Sequence, residues 1–120
     1  MVRNNLCNHS CPDKRETHVH EVIGSVRLAG LNNDLHNHRF TGITDEEIPI
    51  IGGHIHKLYI TTDFYDNHFH SINVKTGPAI AVSDDQNARH VHFIDADTDI
   101  EDLHFHGLTV ATMIENPIGH

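Results

Sequence analysis

The chain predicts an all-β domain in which three pseudo-repeats of a β-hairpin close into a barrel or a trefoil-like fold. Three observations carry this. His-x-His occurs six times, as His18/His20, His36/His38, His54/His56, His68/His70, His90/His92 and His104/His106, and takes in twelve of the fourteen histidines. The first, third and fifth pairs begin at 18, 54 and 90, a constant step of 36 residues. Finally, residues counted by twos from each pair are mostly apolar and those between them mostly polar, the period-two signature of a half-buried strand. A helix would turn i and i+2 to different sides.

Taken in order, residues 1–16 are polar and aperiodic, and read as a flexible N-terminal segment. Cys7, His9 and Cys11 in it make either a metal or redox site or merely two exposed thiols, and no fourth zinc ligand stands beside them. From residue 17 to 120 the chain repeats in units of about 17–52, 53–88 and 89–120. The second, fourth and sixth pairs follow Asp34, Asp66 and Asp102 by two residues and precede Thr44, Thr76 and Thr112 by eight. Glu47-Ile48-Pro49-Ile50 recurs as Glu115-Asn116-Pro117-Ile118.

The inward face of the first strand is Val22, Gly24, Val26 and Leu28, and of the second Phe40 and Gly42. The next four strands give Leu58 and Ile60, Ile72 and Val74, Ile94 and Ala96, and Leu108 and Val110. Their phase puts every paired histidine on the core side. Thr62–Asn67 and Thr98–Asp102 have the length of hairpin loops, and Ala29–Asp34 is a longer version carrying a four-residue insertion. Ile48–Ile51 and Ala79–Val82 are candidates for a short third strand, with Pro49 and Pro117 at edges. A turn at Asp63–Asn67 pairs Ile60 with His70 and His56 with Val74. The two pairs of a hairpin then lie toward opposite ends, in two histidine layers separated by aliphatic side chains. A parallel β-solenoid is the alternative, disfavoured by uneven spacings of 18, 18, 14, 22 and 14 residues between successive pairs.

A formal net charge of −9 argues against nucleic acid and anionic membrane as partners and favours cations. With no apolar run near the ~18 residues of a membrane helix and no apolar leader, a cytoplasmic location is expected. Two cysteines are too few for a disulfide scaffold.

Imidazoles in phase with a core are costly unless paired, and a metal ion is the commonest pairing. All twelve paired histidines are therefore candidate ligands for Zn, Fe, Cu or Ni, several ions per chain and about three or more if each repeat holds one. Asp34, Asp66 and Asp102 add a carboxylate as a ligand, or as an acceptor that orients a ligand histidine. Phe69 and Phe105, between paired histidines, read as outer-face packing. The acidic run Asp95–Asp102 reads as a solvated hairpin end from which Asp97 or Asp99 could reach a metal. No phosphate loop, dinucleotide fingerprint or Gly-x-Ser-x-Gly is present. The cupin pattern is absent as well, since Glu21, Lys57, Ser71, Phe93 and Gly107 follow the pairs.

The stretches THVHEVIGSVRLA, GGHIHKLYITTDFYDNHFHSINVKTGPAI and HVHFIDADTDIEDLHFHGLTVAT resemble the YmaF family of small bacterial histidine-rich proteins, over about residues 17–119. The resemblance implies a bacterial source and names no activity, so function rests on the residues. The expectation is a multinuclear metal-binding protein for storage, buffering or sensing. A hydrolytic or oxidative metalloenzyme with an open coordination position is the alternative. In a third reading the metals are structural and the outer faces meet a protein partner or a second copy.

Overall fold

The computed structural model describes residues 17–83 and 89–115. The expectations for Cys7, His9, Cys11, Pro117 and the rest of residues 1–16 and 116–120 lie outside these. Nine strands run in chain order: β1 (Glu21–Ser25), β2 (Arg39–Ile43), β3 (Ile48–Ile50), β4 (Gly53–Ile55), β5 (Lys57–Thr61), β6 (Ser71–Lys75), β7 (Ala79–Ala81), β8 (His90–Asp97) and β9 (Gly107–Ala111). Every strand pairing among the described residues is antiparallel, which excludes the parallel solenoid there.

Three hairpins form the body: β1–β2, β5–β6 and β8–β9. Each meets its neighbours through backbone hydrogen bonds at two levels. At one, Asp63 N–H donates to Arg39 O, Asp99 N–H to Ser71 O and Arg27 N–H to Gly107 O, at 2.8–3.0 Å. At the other, Asp45 N–H donates to Lys57 O, Gly77 N–H to Phe93 O and Met113 N–H to Glu21 O, at 2.8–2.9 Å. The expected closed barrel is not found. The ladders stop within sheets of two or three strands, and among the described residues the backbone–backbone bonds between the hairpins are these isolated ones.

The expected third strands exist as β3 and β7. β7 adds to β8, whereas β3 pairs with β4 across a turn at Ile51–Gly52, where Gly52 has φ 86°. Pro49 stands opposite His54, on a strand with a free edge.

The register departs from expectation. Leu58 faces Val74 and Ile60 faces Ile72, so His56 and His70 fall opposite Thr76 and Thr62. The turn sits at Asp66-Asn67 rather than across Asp63–Asn67, and a one-residue bulge toward each hairpin's tip completes the observed register. Val26, Thr62 and Thr98 N–H donate to the carbonyls of His38, His70 and His106, and one step further Ala29, Tyr65 and Glu101 bridge His36, His68 and His104. Between these points two residues oppose one: Arg27-Leu28 against Asn37, Asp63-Phe64 against Phe69, and Asp99-Ile100 against Phe105. Such a bulge bends the strand and frees a backbone group from its ladder. Here it frees the N–H groups of Arg27, Asp63 and Asp99, the same groups that bond the neighbouring hairpin. It also reverses the side-chain phase, so Leu28, expected inside, is 66% exposed.

Beyond the bulge the tips close on left-handed residues, Asp66 and Asn67 in one hairpin and Asp102 and Leu103 in another, all with φ of 54–69°. These are the two-residue turns that match strand twist. They also take Asp66 out of the inward face on which its parity had placed it.

The core consists of Val22, Val26, Phe40, Leu58, Ile72, Ile94 and Leu108, flanked by half-buried Ile60, Val74, Ala96 and Val110. In the first hairpin the flanking positions are Gly24 and Gly42. A Cβ on Gly24 would meet the Phe40 ring at 2.9 Å, and one on Gly42 would meet Ile60 Cγ2 at 2.5 Å. The branched Ile60 cannot swing its Cγ2 away alone, so we expect Gly42→Ala to cost about 1–3 kcal/mol by overpacking. A lowered urea midpoint with an unchanged slope would show it; an unchanged midpoint would contradict it.

Candidate metal centres

Each hairpin carries one His-x-His pair at its open end and one near its tip. Packing three hairpins side by side therefore makes two sets of six imidazoles. The first is His18, His20, His54, His56, His90 and His92, each of which places one ring nitrogen within 4.8 Å of those of the others. In the second, His36, His38, His68, His104 and His106 do the same, and His70 Nε2 is 3.2 Å from His104 Nε2. The core side chains separate the sets, so the structure brings together all twelve predicted residues in two layers rather than three sites.

Within each pair the second histidine is the deeper: His20, His38, His56, His70, His92 and His106 are at most 1% exposed. Their Nδ1–H groups donate to backbone carbonyls at 2.8–3.3 Å: His20 to Met113, His38 to Asp63, His56 to Asp45, His70 to Asp99, His92 to Gly77 and His106 to Arg27. Among the outer histidines, His36, His68 and His104 donate to the carbonyls of Asp34, Asp66 and Asp102 at 2.8–3.0 Å. His18 Nδ1 meets Glu47 Oε2 at 2.7 Å, and His90 Nδ1 lies 3.4 Å from Glu115 Oε1.

An acceptor on Nδ1 fixes the tautomer and leaves a lone pair on Nε2. These lone pairs face one another. Nε2 of His90 is 3.0, 3.1 and 3.2 Å from Nε2 of His18, His20 and His54. In the second set the Nε2 separations of His68 from His36, His38 and His104 are 3.1–3.3 Å. Two acceptors without a shared proton repel at that distance. The buried Nε2 atoms of His56, His92 and His106 have no hydrogen-bond partner at all. A cation at the centre of each set would satisfy these atoms.

The rings pack mostly edge to face, with centroids 4.5–5.1 Å apart. In the first set each ring packs against all the others but one, the unpacked pairs being His18 with His92, His20 with His54 and His56 with His90. The second set repeats this, with His36 and His70, His38 and His104, and His68 and His106 left apart.

The carboxylates sit outside the imidazoles. Asp34, Asp66 and Asp102 give the histidines two residues on their carbonyls, while the side chains of Asp66 and Asp102 reach across to Nδ1 of His36 and His68 at 3.4 and 3.9 Å. Asp34 and Asp66 share a hydrogen bond that pushes the Asp34 carboxyl up from its ordinary range. Asp63 and Asp99 lie 3.1 and 3.6 Å from Nδ1 of His38 and His70, and no such contact involves Asp97. Phe69 and Phe105 are exposed.

Sequence reasoning missed two groups. Buried Thr44, Thr76, Thr62, Thr112 and Thr98 accept the backbone N–H of His20, His56, His70, His92 and His106 at 3.0–3.1 Å. The fixed offset of Thr44, Thr76 and Thr112 from the pairs was visible without its meaning. Replacing Thr76 by Val orphans the buried His56 N–H, and we expect a loss of about 1–3 kcal/mol in denaturant titration. A Thr76→Val chain as stable as the parent would show that this bond contributes nothing net. Glu47 and Glu115 form the other group, and their signal was the repeated Glu-x-Pro-Ile.

Burial favours the neutral form of eight of these imidazoles. Desolvation, opposed by the backbone hydrogen bonds to Met113 and Arg27 and reinforced by the neighbouring rings, lowers His20 from 6.5 to about 3 and His106 to about 4. It also lowers His18, His38, His56, His70, His90 and His92. Below pH 6.5 the unfolded chain thus binds protons that the folded chain refuses. Stability is full above that pH and falls as pH drops toward 4, by about 1.4 kcal/mol per pH unit for each fully depressed histidine. Chelated protein should therefore unfold between pH 6.5 and 4; an acid midpoint below 3 would contradict these shifts.

Among the described residues no helix is long and apolar enough to cross a membrane. No curated protein and no solved structure matches the chain. A family model does match residues 15–114, with the description spore germination protein GerY/YamF. With that match spanning most of its length, the chain belongs to the YmaF family.

Proposed function

We propose that this chain is a transition-metal-binding protein with two separate histidine centres, serving metal storage, buffering or sensing. The observation that carries the reading is the facing Nε2 lone pairs, 3.0–3.3 Å apart and turned inward by acceptors on Nδ1. Neutral imidazole is a ligand for Zn, Fe, Cu and Ni, and the outer carboxylates orient it and offset the charge of a bound cation.

A structural role is the second reading. Each centre draws one pair from each hairpin, and the hairpins are otherwise joined by isolated backbone bonds. A bound ion would tie all three. The metalloenzyme reading lacks comparable support, because every imidazole of a set is turned to the same point. The family description supplies spore germination as the process in which the bound metal would act.

Elemental analysis and native mass of untagged protein from a metal-replete host test this. Two transition-metal ions per chain are expected. A folded chain that binds none, even after incubation with excess metal, would overturn the proposal and leave the histidines as a hydrogen-bonded core.

A further inference from the structure

The ring-packing pattern contains more than proximity. Six points of which each neighbours all but one are the vertices of an octahedron, and the three unpacked pairs are its diagonals. In the first set those diagonals are His18 with His92, His20 with His54 and His56 with His90; the second set has the equivalent three. Distances agree. An octahedron's edge is √2 times its centre-to-vertex distance, so Nε2 separations of 3.0–3.3 Å, seen along three edges of the first set and four of the second, place a central atom about 2.1–2.3 Å from the nitrogens they join. That is slightly longer than the about 2.0–2.1 Å of four-coordinate zinc–imidazole bonds, as a higher coordination number requires. The diagonal, √2 times the edge, is then about 4.2–4.7 Å, inside the 4.8 Å within which the first set falls.

Resting on the metal-binding reading above, we propose that each centre takes one octahedral dication of the Fe(II), Co(II) or Ni(II) class through six neutral imidazoles and no water. The donor set rejects Mg²⁺ and Ca²⁺, which demand oxygen. The near-even spacing of its rings, 4.5–5.1 Å between centroids along every edge, disfavours Cu(II), which prefers a tetragonal field. A centre with six protein ligands has no position for substrate or activated water, unlike catalytic zinc sites, which keep one open. Metal chosen by shape and held without exchangeable ligands is cargo or a cross-link, not a Lewis acid.

Cobalt(II) separates this from the broader reading, because its visible spectrum reports coordination number. The chain loaded with cobalt should bind two ions and show only the weak bands of the six-coordinate ion, unshifted by azide. His54→Ala opens one vertex of the first centre. His54 is partly exposed and lines a surface hollow of about 520 Å³ with Thr17, Glu47 and Pro49, so added ligand can reach the gap. Azide should shift the variant's spectrum, and free imidazole should restore the parent one. Intense tetrahedral bands in the parent, or an azide shift in it, would overturn the octahedral assignment while leaving metal binding intact. Failure to bind cobalt, nickel or iron(II) at all would overturn both.

Discussion

Chelation should lower the melting temperature of the metal-loaded chain by about 30 °C. A ligand at a thousand times its dissociation constant stabilises the folded state by about 4 kcal/mol. For a domain of this size 1 kcal/mol moves the midpoint by about 4 °C, so each centre contributes about 15 °C. The size of the effect follows from what the fold has without metal. Among the described residues seven buried apolar side chains form the core, and no continuous ladder joins the hairpins. The metal-free chain also keeps uncompensated lone pairs in contact at both ends, a cost that binding removes. Differential scanning calorimetry with and without chelator checks it, and coincident midpoints in a chain known to carry metal would contradict it.

Removing two ligands contributed by one hairpin to one centre should remove that ion and leave the other. His68→Ala with His70→Ala takes two adjacent vertices from the second centre and unties the β5–β6 hairpin there. The expected stoichiometry falls from two ions to one. The paired change His54→Ala with His56→Ala should do the same to the first centre, and combining all four should bring it to zero. Independence is expected because the two sets share no histidine and are separated by Leu58, Ile72, Ile94 and Leu108, each at most 1% exposed. Native mass spectrometry reads the count directly. A chain that loses both ions on losing one pair would show that the centres are coupled through the core.

What could be read in the sequence was whatever obeys a period. Strand alternation placed the twelve paired histidines on the core side, and the 36-residue step joined them into equivalent arms. Opposite ends of a hairpin then required two layers. These conclusions need only the pleat of a strand and the count of residues. Leu28 failed because a bulge of one residue reverses its phase, and the Ile60 register because the chain turns at Asp66-Asn67 before that bulge; the bulge answers to a bond with the neighbouring hairpin, which no local period encodes. The closed barrel failed for a related reason. Alternation shows that a strand has an inner face but not whether its edge continues into the next ladder.

The Nδ1 acceptors were beyond the sequence too. Met113, Gly77 and Arg27 act through carbonyls that any residue carries, so no side chain marks them. The partners of His20 and His106 among these, Met113 and Arg27, lie 93 and 79 residues away. The sequence by itself therefore determined that this is a β protein with inward histidines in two layers. Only the tertiary structure decided that each layer is a set of six with octahedral neighbours, because that arrangement arises where three hairpins meet, and their mutual orientation is set by packing rather than by any one strand.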